Sequence, residues 1–304
     1  MPDIVLEQAL FHRDAGGPRL LTRSAGFPDE WLPLAEAICT GFGERPAGVR
    51  CPVCVFARPF GNRHVTVVQA ADDPGQPSTL GFRFLVVARD AYAHWIGDPF
   101  ILADRFPPDW SARRDLPSLS WPAEPLPPRT VAQIQSVLQR TDGPTLLGGV
   151  QALVDGSRLV FERSEPDTSL LRSLWMLLPT SNRSELWPAS FAFGNALGFD
   201  AVVVPQMNGE DYPGYLNGRD ADGYPEGRYE LNLQIAAEAG DQRELDMLFA
   251  RRSRQQMLRL GLVLLVAITL MMIVMSVLSP RPPAAKQGPP KQQAIQADKP
   301  DPGK

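Results

Sequence analysis

An α+β fold is what the sequence predicts: a mixed sheet with packed helices in one large or two small domains, followed by a single C-terminal membrane helix. Three observations carry that reading. Short apolar runs of strand character alternate irregularly with stretches of helical character. The 31 prolines, about double the usual share, break the chain into many connections. Near the end stands one long uncharged stretch.

In chain order, Ile4–His12 reads as a strand, with Val5, Leu6, Ala9, Leu10 and Phe11 apolar. Leu20–Ser24 reads as a second, behind the Gly-Gly-Pro turn that ends at Pro18. Phe27–Thr40 carries helix signals: Pro28 suits a first helical position, Asp29 and Glu30 suit the positive helix start, and Gly41 ends it. Cys51–Pro59, His64–Ala71 and Leu80–Ala88 follow as strands, and the last has the dense apolar character of an interior one. Residues 107–128 hold seven prolines together with Trp110 and Trp121, which suits a domain boundary or a loop wrapped over the surface. It would separate an α+β part at 1–106 from a second at 129–240.

In that second part, Arg129–Arg140 and Thr145–Leu153 are expected to be helical and Ser157–Arg163 a strand after the Asp155-Gly156 turn. Asp167–Leu178 suits a helix, and Ala189–Phe193 and Phe199–Val204 suit strands. Asn208–Tyr224 is crowded with turn residues and reads as a loop. Arg228–Ala239 and Asp241–Met257 complete the set as helices, Asp241 and Glu244 having the spacing of a capping box. A juxtamembrane helix over 241–259 would then run into the span.

The span is Leu260–Leu278, 19 residues without a charge, twelve of them Leu, Ile or Val. As a helix it would be roughly 28 Å long, the thickness of a bilayer's hydrocarbon core. Those twelve residues contribute about −4 to −7 kcal/mol towards insertion. Arg243, Arg251, Arg252, Arg254 and Arg259 precede it, against Arg281, Lys286 and Lys291 behind it. That bias favours a cytoplasmic N-terminal side at a plasma or inner membrane. Met1–Glu30 has no apolar core of a secretory signal, which agrees. The last 26 residues, 279–304, contain seven prolines and should form a disordered tail on the far side.

Charge and inventory exclude several functions. Residues 1–250 carry 21 arginines against 32 acids, and residues 251–304 carry nine cations against two acids. An acidic N-terminal region does not suit nucleic acid, whose phosphates need clustered cations. All four lysines (Lys286, Lys291, Lys299, Lys304) lie beyond the apolar segment. Before it there is no lysine for a phosphate-cradling loop, a kinase site or a Schiff base. The three cysteines are too few for a disulfide framework and suit reduced thiols.

Five motifs invite a sharper reading and each has a plainer one. Cys51-Pro-Val-Cys54, with Cys39 and His64, has the donors of a Cys₃His zinc site, but zinc ribbons bring two such pairs and here there is one. Asp220-Ala-Asp222-Gly223 resembles part of a calcium loop, but the alignment puts Gly218 and Tyr229 where carboxylates belong. Thr22-Arg-Ser24-Ala-Gly26 lacks the first glycine of a nucleophile elbow, and only His12, His64 and His94 are candidates for its base. Asp98, Asp104 and Asp109 lie in the aromatic-rich stretch Trp95–Trp110, where paired acids are suited to acid–base work or, more simply, to solvated loops. The Leu174–Pro179 stripe, with Arg183 and Trp187 following, suits core packing better than a binding platform. Convergence of His94, Asp98 and an arginine in one pocket would favour an enzyme.

Several stretches together resemble the N-terminal domains of GTPase-associated proteins of bacterial conflict systems. They are Gln8-Ala-Leu-Phe11 with Gly17-Pro18, Ser24-Ala-Gly-Phe-Pro-Asp29, and Gly81-Phe-Arg-Phe-Leu-Val-Val87 leading to Asp98-Pro99. Leu174-Trp175, Leu178-Pro179, Arg183 and Ser190-Phe191 follow. The likeness touches most of residues 4–204, although Phe82 and Arg83 stand where that family often has a histidine. It implies a non-enzymatic adaptor or sensor whose partner is a protein, a GTPase or other NTPase, and it brings no catalytic, cofactor or metal residues. Sequence alone therefore leads to a single-pass, C-terminally anchored bacterial adaptor contacting protein and lipid, with a membrane-anchored enzyme using Asp, Arg or His as the alternative.

Overall fold

The computed structural model describes residues 3–73, 76–110, 115–207, 210–250, 264–272 and 275. Residues up to Met257 form one compact unit and Leu258–Lys304 a second.

The first unit is built on a ten-stranded mixed sheet. Its strands are β1 (Ile4–Asp14), β2 (Gly17–Arg23), β3 (Cys54–Phe60), β4 (His64–Asp73), β5 (Gln76–Ala88), β6 (Leu119–Trp121), β7 (Arg158–Glu162), β8 (Pro188–Ala189), β9 (Ala201–Val204) and β10 (Tyr215–Leu216). The order is β10-β7-β9-β8-β3-β4-β5-β1-β2, with β6 added to β1. From β3 to β2 every pairing is antiparallel, whereas β10, β7, β9 and β8 run parallel. Short turns join β1 to β2, β3 to β4 and β4 to β5, whereas the parallel neighbours β7 and β9 are separated in sequence by α6, α7 and β8. The halves meet where β8 pairs with β3 through a single register pair, Phe56 with Ala189.

In the middle of the sheet, Val65–Ala71 and Leu80–Val87 are buried without alternation, so both faces of β4 and β5 are covered. Aromatic side chains fill the core beside them. Phe42 stacks on Phe56 with ring centres 5.4 Å apart, and Phe11 meets Phe84 edge-on at 5.3 Å.

The helices are α1 (Leu32–Gly41), α2 (Arg89–Ala91), α3 (Pro99–Arg105), α4 (Val131–Leu138), α5 (Gly143–Asp155), α6 (Thr168–Leu177), α7 (Thr180–Arg183), α8 (Gly218–Asp222), α9 (Arg228–Ala239) and α10 (Gln242–Phe249). α5 is their hub, packing against α4, α6, α8, α9 and strand β7. It can approach α8 because Gly148 has no side chain: a Cβ there would stand 2.0 Å from the Ala221 carbonyl oxygen.

The coarse α+β architecture is as expected, with instructive differences. Asp98-Pro99 opens a helix: the Asp98 carboxylate caps α3 and Pro99 takes its first position, where a missing N–H costs nothing. The proline-rich stretch contributes β6, and Trp121 in it is buried. The stretch is bound to the sheet by Gln8 Nε2 donating to the Pro117 carbonyl at 2.7 Å. Asn208–Tyr224 contains β10 and α8, the latter started by a reciprocal Asn217/Asp220 capping box. The strand expected at Ala189–Phe193 is confined to Pro188–Ala189.

In the second unit, residues 264–272 are helical and their side chains exposed, Leu265 at 63% and Met272 at 69%. Among the described residues no helix is long and apolar enough to cross a membrane. The remainder of the expected span and of the juxtamembrane helix, and all of the 279–304 tail, lie outside the described residues.

Candidate functional site

The cleft with the most chemistry is assembled from four segments that the sequence keeps far apart. The first is a π turn, Tyr92–Ile96, which ends at Gly97 in the left-handed conformation (φ 57°) that glycine adopts freely. Asp98 follows at 5% exposure. Its Oδ1 accepts from the Phe100 N–H at 2.9 Å and the Ile101 N–H at 3.3 Å, and its Oδ2 accepts from Arg183 Nη2. The second segment, α6 and α7, supplies that arginine: Leu178-Pro179 breaks the helix, and α7 ends on Arg183, itself only 7% exposed.

The third segment begins α4. Arg129 Nη1 donates to the carbonyls of Met176 (2.8 Å) and Leu178 (2.5 Å), and Nη2 donates to Thr180 Oγ1 at 3.1 Å. The unpaired carbonyls at the end of α6 are thereby satisfied by a cation, the charge that the negative end of a helix favours. Burial pulls the Arg129 pKa down to about 9, and the nearby Arg183 charge acts the same way. The guanidinium still keeps its proton at neutral pH. Among the described residues no carboxylate comes within ion-pairing distance of Arg129.

The fourth segment is α10, held to the start of α4 at both of its ends. Gln242, its first residue, accepts from the Val131 N–H at 2.9 Å and donates to the Arg129 carbonyl at 2.8 Å. Phe249, its last, lies with its ring centre 3.5 Å from the Arg129 guanidinium carbon.

Together these segments line a cleft of about 610 Å³, within the range of small-molecule sites. Its walls are mainly apolar, with Ile101, Leu126, Met176 and Phe249 among them, and the polar groups converge on Asp98, Arg129 and Arg183. Arg172 stands at the edge in a bidentate pair with Asp104, at 2.5 and 2.9 Å. His94 is exposed and packs edge-on to Trp95 at 4.3 Å. Two buried polar atoms beside the ion pair find no hydrogen-bond partner among the described residues: Arg183 Nε and the Tyr92 hydroxyl, whose pKa is raised by burial and by the Asp98 charge.

The structure therefore brings His94, Asp98 and Arg183 to one cleft, the convergence expected of an enzyme. Asp98, however, has both oxygens committed, one to the helix start and one to Arg183, so it is poorly placed to take a substrate proton. Arg129 and Arg172 were not singled out in the sequence. The available signal was the position of Arg129 directly behind Pro127-Pro128, where a helix starts.

The other motifs are dispersed. Cys51 and Cys54 are fully buried with Sγ atoms 3.8 Å apart, and burial raises the Cys54 pKa well above that of a free thiol. Cys39 is also buried, its pKa raised for the same reason. Among the described residues no three His, Cys, Asp or Glu side chains are grouped to hold a metal. His64 packs against Trp31 at 4.7 Å, and burial lowers its pKa. His12 pairs with Asp73 at 3.3 Å. Ser24 is buried and donates to Glu7 Oε2 at 2.5 Å. Asp220 caps α8, and Asp222 lines a separate cavity of about 640 Å³ with Glu162 and Arg219, at the end of β7.

Compared with known proteins, the chain matches no family model, no curated relative and no solved structure, so the site rests on its own geometry.

Proposed function

We propose that the protein is a membrane-tethered adaptor or sensor. Its large N-terminal unit faces the cytoplasm at a bacterial inner membrane and works beside a partner NTPase, a GTPase by resemblance, without catalysing a reaction itself. The observation that carries this reading is the cleft wall made by α10. This helix is the last described element before the apolar segment, and it is fixed at both ends to Arg129 and Val131. A ligand that fills the cleft meets Phe249, the last residue of α10, which is the arrangement a sensor of a small molecule uses. The exposed, all-round apolar helix at 264–272 supports the tether, since lipid is the surrounding that such a surface favours.

The second reading, a membrane-anchored enzyme working through Asp, Arg and His, is favoured by His94, Asp98 and Arg183 lining one cleft and opposed by the full commitment of the Asp98 carboxylate. The test is affinity purification of the full-length chain from native membranes in mild detergent. A stoichiometric NTPase is the expected companion, and repeated recovery of the chain alone would overturn the proposal.

A further inference from the structure

We propose that the cleft between the Tyr92–Ile96 turn, α6–α7 and α10 binds a small amphipathic anion, with a carboxylate or phosphate head on an apolar body. This deepens the sensor half of the function proposed above and rests on it for its biological meaning.

Three arginines line the cleft, and two of them, Arg172 and Arg183, have carboxylate partners. Arg129 is the third; its described partners, two carbonyls, a hydroxyl and an aromatic ring, are all neutral. Asp98 and Asp246, which also line the cleft, act on this guanidinium only from beyond ion-pairing distance, so an incoming anion would be its first charged contact partner. The second observation is independent of the first. Arg183 Nε is buried, lies on a residue only 7% exposed, and has no acceptor among the described residues. A donor in that condition costs free energy until an acceptor arrives, and its partner Asp98 is already in use on the other nitrogen. Thr130 and Thr180 add hydroxyl groups to the same lining.

The walls define the rest of the ligand. Ile101, Leu126, Met176 and Phe249 present apolar surface, and about 610 Å³ accommodates considerably more than a bare phosphate. An anion carrying a ring or short chain uses both parts of the site. A free metabolite and a lipid headgroup with its first acyl carbons share this chemistry, and the experiment separates them.

The full-length protein is placed in nanodiscs of phosphatidylcholine and titrated calorimetrically with phenyl phosphate, inorganic phosphate and benzyl alcohol at matched ionic strength. Saturable one-site binding of phenyl phosphate is expected, with inorganic phosphate weaker and benzyl alcohol silent. Two variants report on the site. Arg129→Gln removes the charge but also the contacts that end α6. Gln133→Glu, on the cleft lining, keeps the Thr130 capping box intact, because a glutamate at that position accepts the same N–H. It adds a negative charge to the wall and should weaken phenyl phosphate about tenfold while leaving the melting temperature unchanged. Binding that is equal for all three probes, or unaltered in the folded Gln133→Glu protein, would sink the inference. Competition by phosphatidylglycerol discs identifies a headgroup as the ligand, and its absence identifies a soluble anion. Should no probe bind while the NTPase still co-purifies, the cleft inference fails and the adaptor reading stands; binding without a partner has the opposite meaning.

Discussion

At the scale of single residues, Arg83 is the side chain on which most depends. It is 7% exposed and buried at the centre of a polar knot that joins three strands to the start of the proline-rich stretch. Its Nη2 donates to Gln8 Oε1 at 2.7 Å, and its Nη1 donates to the carbonyls of Phe106 and Pro107, each at 2.7 Å, and to Gln69 Oε1 at 3.3 Å. Burial lowers its pKa to about 10, a cost offset by these acceptors. Arg83→Met leaves several buried oxygens without a donor and should destabilise the protein by about 3 kcal/mol, read as a fall in urea midpoint with unchanged m. Arg83→Lys should recover only part of this, because an ammonium cannot reproduce the fork. The Asp98–Arg183 pair gives a parallel test. Arg183→Met alone should cost about 3–5 kcal/mol, whereas the double replacement Asp98→Asn with Arg183→Met should cost less than the sum of the two single changes, measured in the same titration. None of these partnerships was legible in the sequence. Arg83 there is one polar residue inside an apolar run, and Asp98 one of several acids near aromatics, because hydrogen bonds across 75 or 85 positions leave no local pattern.

At the scale of elements, helix starts and stops decided what sequence could reveal. Phe27–Thr40 was readable from its end signals, Pro28 with Asp29 and Glu30 at the start and Gly41 at the stop. α3 was missed because an aspartate before a proline marks a turn and a helix start equally well, and only burial of the following Phe100 and Leu102 decides. α8 was missed because five residues are too short to show a period. Two changes test these elements. Thr130→Ala removes the hydroxyl that accepts from the Gln133 N–H and should cost about 1 kcal/mol in thermal or chemical denaturation. Gly148→Ala, favourable for an isolated helix, should instead destabilise by about 2 kcal/mol or more, since its methyl meets the Ala221 carbonyl and must push α8 away. A stabilised Gly148→Ala protein would show that α5 and α8 are not in the contact described.

For the whole molecule, the expectation concerns where the chain resides. Full-length protein should sediment with membranes and be released by detergent but not by high salt, and removal of residues 260–278 should leave it in the supernatant. Protease added outside intact cells should spare residues 1–250. The first two outcomes follow from twelve branched apolar residues in one uncharged stretch and the third from the excess of arginines before it, signals that composition alone makes visible. The order of the strands was not visible in that way. Strand positions come from local alternation and turns, whereas the change from antiparallel to parallel pairing depends on β8, two residues that no periodicity could announce. That small strand has a mechanical corollary. Among the described residues the Phe56–Ala189 pair, flanked by Val55 N–H donating to Ser190 Oγ at 2.8 Å and Ser190 N–H donating to the Val55 carbonyl at 2.9 Å, is the one strand register pair between the two blocks of β structure. Under strain or heat the scaffold should crack there first, so the Val55 and Ser190 amide protons will exchange with solvent together and well before those of Val67 and Leu85, while each block stays intact on its own side of the fracture.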